Sequence, residues 1–272
     1  MKTILVPTDF SDNALNAFKY ALEMAGSDKE FVLMNAYHSP NAGTGGMLVS
    51  ITDMLKKESQ KDMKALIKGI KKQFGESLNL RGESIHGELL EAIEYITKNQ
   101  EIDIVVMGTQ GASGLKQALI GSNTEKAIRE AKVPVIAVPE KGKYDGYDDI
   151  VFATDMKEIK DANIMESMLT IAKKFQAKIY ILYVIKEGTE PNIDEDVARL
   201  NLDSYFEGID HSYHVVFNDD IEEGINGFIK EVNADLLSMI PRKVSFFDRL
   251  FKKSITKQCV YHTKVPLLAI HD

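Results

Sequence analysis

Short apolar runs alternate with longer amphipathic stretches along the first half of the chain. The apolar runs predict five buried strands, at residues 3–8, 31–37, 80–86, 102–107 and 133–138. Apolar positions at helical spacing predict four helices between them, which run from Ser11 to a terminating Gly26, from Leu48 to Ile70, from Leu89 to Ile96 and from Ser122 to about Ala131. Strands separated by helices of about ten or more residues are typical of parallel βαβ units with right-handed crossovers.

The second half of the chain repeats this pattern. Ile4–Asp9 (ILVPTD) recurs as Ile150–Asp155 (IVFATD), and Lys132–Pro134 recurs as Lys264–Pro266. Such a repeat indicates a duplicated structural unit. We therefore expect two tandem α/β domains, 1–140 and 147–272, joined by a linker around 139–149. Each should be a doubly wound (Rossmann-like) domain with an open, mainly parallel five-stranded sheet and helices on both faces.

A glycine-rich stretch follows the predicted fourth strand. Glycines stand at positions 108, 111, 114 and 121, and Ser122, Asn123 and Thr124 then open a helix. Glycines let backbone N–H groups approach an anion, and a helix N-terminus adds unpaired donors and a positive dipole end. Ser122 or Thr124 could either cap this helix or bind a phosphate oxygen. The stretch is neither a lysine-containing P-loop nor a GxGxxG motif.

The spacing Gly108-x2-Gly111-x9-Gly121-Ser122 resembles the ATP-binding signature of the universal stress protein family. The resemblance implies that the first domain binds an adenine nucleotide, ATP with or without Mg²⁺. It implies that Asp9, flanked by Pro7 and Thr8, meets the adenosine moiety. It assigns the remaining contacts to adenine (Ala36), to the nucleoside (Met107 and Gly108) and to the phosphates (Gly111, Gly121, Ser122 and Asn123). For Asp9 an alternative remains open, since Asp is also a common N-cap and the first helix begins nearby.

The second copy departs from the signature. Its counterparts of the four glycines are Ile240, Lys243, Phe246 and Lys253, each of which adds a side chain where a phosphate would need bare backbone. The segment between its second and third strands is also shorter, with Val184 as the counterpart of Ala36 and Asp219 as the counterpart of Gly87. We expect a degenerate domain that does not hold a triphosphate in the family's manner.

The resemblance implies a stress-response regulatory protein that acts by binding, with nucleotide occupancy ordering the 40–50 loop and biasing contact with an unknown protein partner. Family members often pair through their last strands, so Val133–Val138 and Val265–Ile270 could form a pseudo-twofold pair within one chain. Further self-association into a homodimer stays open. The alternatives are a slow ATPase or adenylyl-transfer enzyme and a nucleotide-free interaction protein. No catalytic set and no metal site can be argued from the residues.

Composition narrows the class of protein. A formal net charge of −8 argues against a general nucleic-acid binder. The single cysteine, Cys259, fits a reducing cytosol, and no stretch approaches the roughly 18 apolar residues of a membrane span. The beginning, MKTILVPTDF, predicts a strand and not a signal peptide, so we expect a soluble, cytoplasmic protein. The aromatic and basic segment 244–253 either fills the vacated crevice of the second copy or forms an exposed patch for a partner or a membrane surface.

Overall fold

The computed structural model describes residues 1–38, 45–110, 121–156, 159, 162–188, 202–241 and 265–271, with backbone alone at 45–50. The chain divides into two compact units, and the boundary between them lies between Glu140 and Lys141. Segment 244–253, Cys259, Gly111, Gly114 and three of the four substituted glycine positions of the second copy lie outside the described residues.

The first unit is a parallel sheet wound in two directions. Its strands stand in the order β3-β2-β1-β4-β5 and comprise β1 (Thr3–Pro7), β2 (Glu30–Tyr37), β3 (Asn79–His86), β4 (Ile104–Gly108) and β5 (Val135–Val138). The connecting helices are α1 (Asp12–Ala25), α2 (Gly45–Phe74), α3 (Leu89–Asn99) and α4 (Ser122–Glu130). The chain moves outward from β1 to β3 and then crosses back to β4 and β5. Right-handed crossovers therefore place α1 and α2 on one face and α3 and α4 on the other.

The long helix α2 begins earlier than the apolar pattern predicts. It includes Gly45 and Gly46, which were expected to lie in a glycine-bearing loop ahead of a helix starting at Leu48. Glycine is a poor helix former, but helical propensity is a weak guide where a long amphipathic helix continues into its first turn. The expected 40–50 loop is therefore helical from Gly45 onward.

The second unit has the same strand arrangement. Its strands stand in the order β8-β7-β6-β9-β10, all parallel, and comprise β6 (Asp149–Ala153), β7 (Lys178–Ile185), β8 (His211–Phe217), β9 (Leu236–Met239) and β10 (Leu267–Ala269). Its helices include a 3₁₀ turn (Ala162–Met165), α5 (Glu166–Phe175) and α6 (Ile221–Val232), and residues 202–205 are also helical. The predicted α/β class, with two doubly wound parallel sheets in tandem, is confirmed.

Matching hydrogen bonds explain residues that recur in the two copies. Asp103 accepts from the backbone N–H of Lys2 and Thr3 at 2.5 and 2.8 Å, and Asp235 accepts from those of Asp148 and Asp149 at 2.8 and 3.0 Å. Each carboxylate thus ties the start of its unit's first strand to the segment that leads into the fourth. The recurring aspartates are structural parts of the duplicated unit.

The register of β8 corrects one detail of the predicted alignment. The Gly87 N–H donates to Tyr37 O at 2.9 Å, and in the second unit Asn218 N–H donates to Ile185 O at 2.8 Å. Asn218, not Asp219, is therefore the counterpart of Gly87. The extra residue lies between the end of β8 and Asp220, the N-cap of α6.

The predicted linker packs onto the second unit. Tyr147 is fully buried, and its ring meets those of Tyr144 and Phe175 edge-on at 5.2 and 5.3 Å. Burial and the charges of Asp235 and Asp148 raise the pKa of Tyr144 to about 12, so this phenol stays neutral. Across the parts of the chain that the structure describes, no helix has the length and apolar character needed to cross a bilayer.

Candidate functional site

The carboxyl ends of β1 and β4 lie side by side, at the point where the winding of the first sheet reverses. Ile4 pairs with Ile104 and Leu5 with Val105, which brings the ends of the two strands to the same edge. Open α/β sheets bind ligands in the crevice at this position. Pro7 and Thr8 stand at one side of the crevice, and Met107 and Gly108 stand at the other.

Asp9 stands just beyond β1 on an exposed turn. Phe10 adopts a left-handed backbone (φ 65°), and its N–H donates to Thr8 Oγ1 at 3.0 Å. Ser11 donates to Asp9 Oδ1 from its N–H at 3.1 Å and from its hydroxyl at 2.5 Å. Ser11 is the N-cap of α1, and its Oγ accepts from Ala14 N–H at 3.3 Å. Asp9 therefore supports the cap without being the cap, and its carboxylate faces solvent.

Asn13, on the first turn of α1, connects this turn to the end of β4. Its Nδ2 donates to Gln110 O at 2.5 Å. A Cβ at Gly108 would lie 2.8 Å from that Nδ2 and 3.2 Å from Asn13 O, so a side chain there would force Asn13 or the start of α1 to shift. The pattern of the sequence did not single out Asn13, because its partner lies 97 positions away.

The start of α4 lies against the same strand end. Its N-cap is Gly121, whose N–H donates to Thr109 O at 2.7 Å, with no side-chain capping bond. Thr124 is buried and donates its hydroxyl to Gly108 O at 3.0 Å. Neither Ser122 nor Thr124 is thus the cap, while Ser122 and Asn123 are exposed on the first turn. Among the described residues, a Cβ at Gly121 would meet Thr109 O at an ordinary 3.6 Å, so none of these neighbours requires glycine there.

A buried polar chain lies behind the other side of the crevice. Asn35 donates from Nδ2 to Thr8 O at 2.7 Å, and its Oδ1 accepts from the Ser59 hydroxyl at 2.8 Å. The Ser59 and Ser84 hydroxyls lie 2.8 Å apart. Sequence reasoning missed Asn35, although a lone amide within the apolar strand EFVLMNAY is a usable signal. Ala36, which follows it, is half-buried and pairs with Ile85.

This edge carries a neutral phenol and an exposed carboxylate. Burial, followed by the charge of Asp53, raises the pKa of Tyr37, which keeps the phenol neutral. The ring of Tyr37 meets that of His86 edge-on at 5.6 Å. Among the described residues no group of three or more His, Cys, Asp or Glu side chains could hold a metal ion. The edge presents an exposed carboxylate at one side and the uncapped start of a helix at the other.

The second unit has the same turn after its first strand, but different residues surround that turn. Met156 has a left-handed backbone (φ 54°), and its N–H donates to Thr154 Oγ1 at 3.1 Å, which reproduces the turn after β1. Ile240 stands where the first unit has Gly108. By register, Tyr183 and Val215 replace Asn35 and Ser84, so the polar chain has no counterpart at these two positions.

Comparison with known proteins agrees with this architecture. The model of the universal stress protein family matches residues 1–139 and 146–271. Universal stress protein MJ0531 of Methanocaldococcus jannaschii is 32% identical over 146 residues, which cover 52% of this chain and 84% of that protein. MJ0577 of the same organism is 28% identical over 155 residues, which cover 52% and 96% respectively.

Similarity also extends over both units at once. The crystal structure of a universal stress protein from Archaeoglobus fulgidus matches with a TM-score of 0.70 over 99% of this chain and 98% of that chain. At 19% identity this likeness concerns the fold alone. The family model, in contrast, accounts for nearly the whole sequence in two consecutive matches. The chain therefore belongs to the universal stress protein family and carries two of its domains in tandem.

Proposed function

We propose that the first domain binds ATP at the edge formed by the ends of β1 and β4, and that the protein acts by binding. The observation that carries the proposal is the contrast between two glycines. Asn13 crowds any side chain at Gly108, whereas none of the described residues crowds one at Gly121. A glycine that its described neighbours do not demand, at the start of a helix with no side-chain cap, is accounted for by a ligand that approaches the backbone there.

The proposed contacts follow the two sides of the crevice. On the nucleoside side, Asp9 accepts from a hydroxyl or amine, with Pro7, Thr8, Ala36, Met107 and Gly108 around it. On the phosphate side, Ser122 and Asn123 present their N–H groups next to Gly121, whose own N–H bonds to Thr109 O, and Gly111, which lies outside the described residues, completes the proposed set. Because the first-turn donors of a helix are unpaired and its dipole is positive there, an anionic group is favoured at this end.

The second domain is proposed to be a partner that does not hold a triphosphate. Ile240 stands where the first domain has Gly108, so a side chain replaces bare backbone there. Tyr183 and Val215 stand where the first domain has Asn35 and Ser84, so these two members of the polar chain are replaced. Nucleotide occupancy of the first domain would then regulate contact with a protein partner. The adenylyl-transfer and ATPase alternative receives less support, because the sequence assigns no general base, arginine clamp or lysine to the phosphates.

Calorimetric titration of ATP with Mg²⁺ tests the proposal, on the wild type beside Gly121→Val. We expect one site per chain, lost in the variant. The control is Gly69→Val, which adds the same side chain where nothing lies within 4 Å and should bind ATP like the wild type. Two sites would mean that the second domain also binds, and no binding at millimolar ATP would favour the nucleotide-free interaction protein. Phosphate release above that of Gly121→Val would instead support the enzymatic alternative.

A further inference from the structure

The chain of the buried Asn35 and Ser59 and the half-buried Ser84, named the polar relay, has a definite direction of hydrogen bonding. Thr8 O is an acceptor, so the Asn35 atom facing it at 2.7 Å is the amide nitrogen. The other end of the amide is then the oxygen, which takes the Ser59 proton at 2.8 Å. With the Ser59 proton committed, Ser84 donates to Ser59 across the remaining 2.8 Å.

The relay joins three elements at the back of the nucleoside side of the crevice. Ser59 belongs to α2, Ser84 to β3 and Asn35 to β2, and their bonds end on the carbonyl of Thr8 beyond β1. Asn35 and Ser59 are buried, with exposed fractions of 8% and 5%. In a buried site of low dielectric constant, polar groups whose hydrogen bonds are all made are held in one arrangement.

The Thr8 carbonyl belongs to the peptide that leads directly into Asp9. Its orientation sets the direction in which the chain leaves β1, and Asn35 is the side chain that fixes it. Asn35 also immediately precedes Ala36, so a single amide anchors both backbone segments that the nucleoside is proposed to meet. In the second domain Tyr183 and Val215 take the positions of Asn35 and Ser84, so that domain lacks the amide and the end of the relay.

We infer that Asn35, supported by Ser59, is a positioning residue that sets the ends of β1 and β2 for nucleoside binding through Asp9. This inference rests on the proposed ATP site. It assigns part of the affinity to a residue that touches no ligand. Loss of the Asn35 amide should therefore reduce what the Asp9 carboxylate contributes to binding.

The test is a double-mutant cycle on ATP affinity, with Asn35→Leu, Asp9→Asn and the double variant in the full chain. Asn35→Leu keeps the side-chain size and removes the amide. We expect it to weaken ATP binding about tenfold in the wild-type background and less than about twofold when Asp9→Asn is already present, since coupled residues are not additive. Ser59→Ala should weaken binding in the same direction by a smaller factor, about threefold.

Two controls separate positioning from loss of stability. Leu80→Ala opens a cavity in the same sheet, four positions before Ser84, and should lower the unfolding temperature while leaving ATP affinity unchanged. Tyr183→Leu alters the position of the second domain that matches Asn35 and should also leave affinity unchanged.

Unaltered affinity in Asn35→Leu, additive losses in the cycle, or an equal loss in Leu80→Ala would each overturn the inference. If Asp9→Asn alone abolishes binding, the cycle cannot be completed. The inference then stands only if Asn35→Leu weakens ATP binding more than Leu80→Ala does. Failure of the wild type to bind ATP would instead remove the proposed function itself.

Discussion

Replacing glycine by alanine should have different effects on stability at the two glycines of the candidate site. Gly108→Ala would press a methyl group against Asn13 at 2.8 Å and should destabilise the first domain by about 1–3 kcal/mol, the usual cost of overpacking. Gly121→Ala meets Thr109 O at 3.6 Å and should change stability by less than about 0.5 kcal/mol. Denaturant unfolding measures both. ATP titration of Gly121→Ala should nevertheless show weaker binding, and unchanged affinity together with unchanged stability would leave that glycine without a role.

A second residue-scale prediction concerns Ser238 in the centre of β9. Its side chain is fully buried, and its hydroxyl has no hydrogen-bond partner among the described residues. Removing a buried polar group that forms no bond relieves its desolvation cost, so Ser238→Ala should be neutral or stabilising by up to about 1 kcal/mol. Ser59→Ala is the matched control, because that buried hydroxyl is bonded to Asn35, and it should cost about 1 kcal/mol. Equal losses of stability in the two variants would show that the Ser238 hydroxyl is bonded in solution.

At the scale of elements, Asp103 ties the start of β1 to the segment entering β4. Burial by itself raises the pKa of this carboxyl, but the N–H groups of Lys2 and Thr3, helped by the N-terminal amine and the Lys2 charge, lower it below its usual value. A carboxylate whose pKa is lower in the folded state stabilises fully above the unfolded-state pKa, and this contribution is lost as pH falls through the folded-state pKa.

Asp103→Asn should therefore destabilise the first domain at neutral pH, and the gap to the wild type should narrow below about pH 4. Denaturant unfolding at a series of pH values measures the gap. The control Asp62→Asn removes a carboxylate from the middle of α2 and should leave the pH profile of stability parallel to that of the wild type. A gap for Asp103→Asn that stays constant on acidification would argue against the carboxylate as the stabilising group.

Elements defined by local patterns were predictable, and their mutual contacts were not. The α1 helix has a capping Ser11 and a terminating Gly26 with φ 100°, as the sequence indicated, since both signals act within one turn. The early start of α2 was not predicted, because the low helix propensity of glycine pointed to a loop there. The one-residue offset after β8 was not predicted, because the spacing of apolar residues does not encode strand register. Asn35 and Ser59 are 24 positions apart, so their bond depends on how α2 packs on the sheet.

At the scale of the molecule, the family was predictable from the glycine signature of the first domain, and the tandem doubly wound fold was predictable from the short motifs that recur in the second half. The contacts that form the site were harder to predict from the sequence, because they join side chains to partners on other elements. Gly108 and Gly121 look equivalent in sequence, yet Asn13 packs against Gly108, and no described residue crowds Gly121. The two domains differ in the residue pair that lies across their second and third strands. The strand register places Tyr183 opposite Val215 in the second domain, where the first domain has Asn35 opposite Ser84.

Division into two compact units predicts an uneven response to nucleotide. A ligand that binds only the folded first domain stabilises it by about 2.7 kcal/mol at a hundredfold excess over Kd, which slows exchange through its unfolding about a hundredfold. Hydrogen exchange with ATP should therefore show slower exchange in peptides covering β1 and β4, while peptides covering β6 and β9 exchange as before. In Gly121→Val the difference should disappear. Equal slowing in both units of the wild type would contradict independent domains, because it would mean either that the second domain also binds ATP or that the two unfold together.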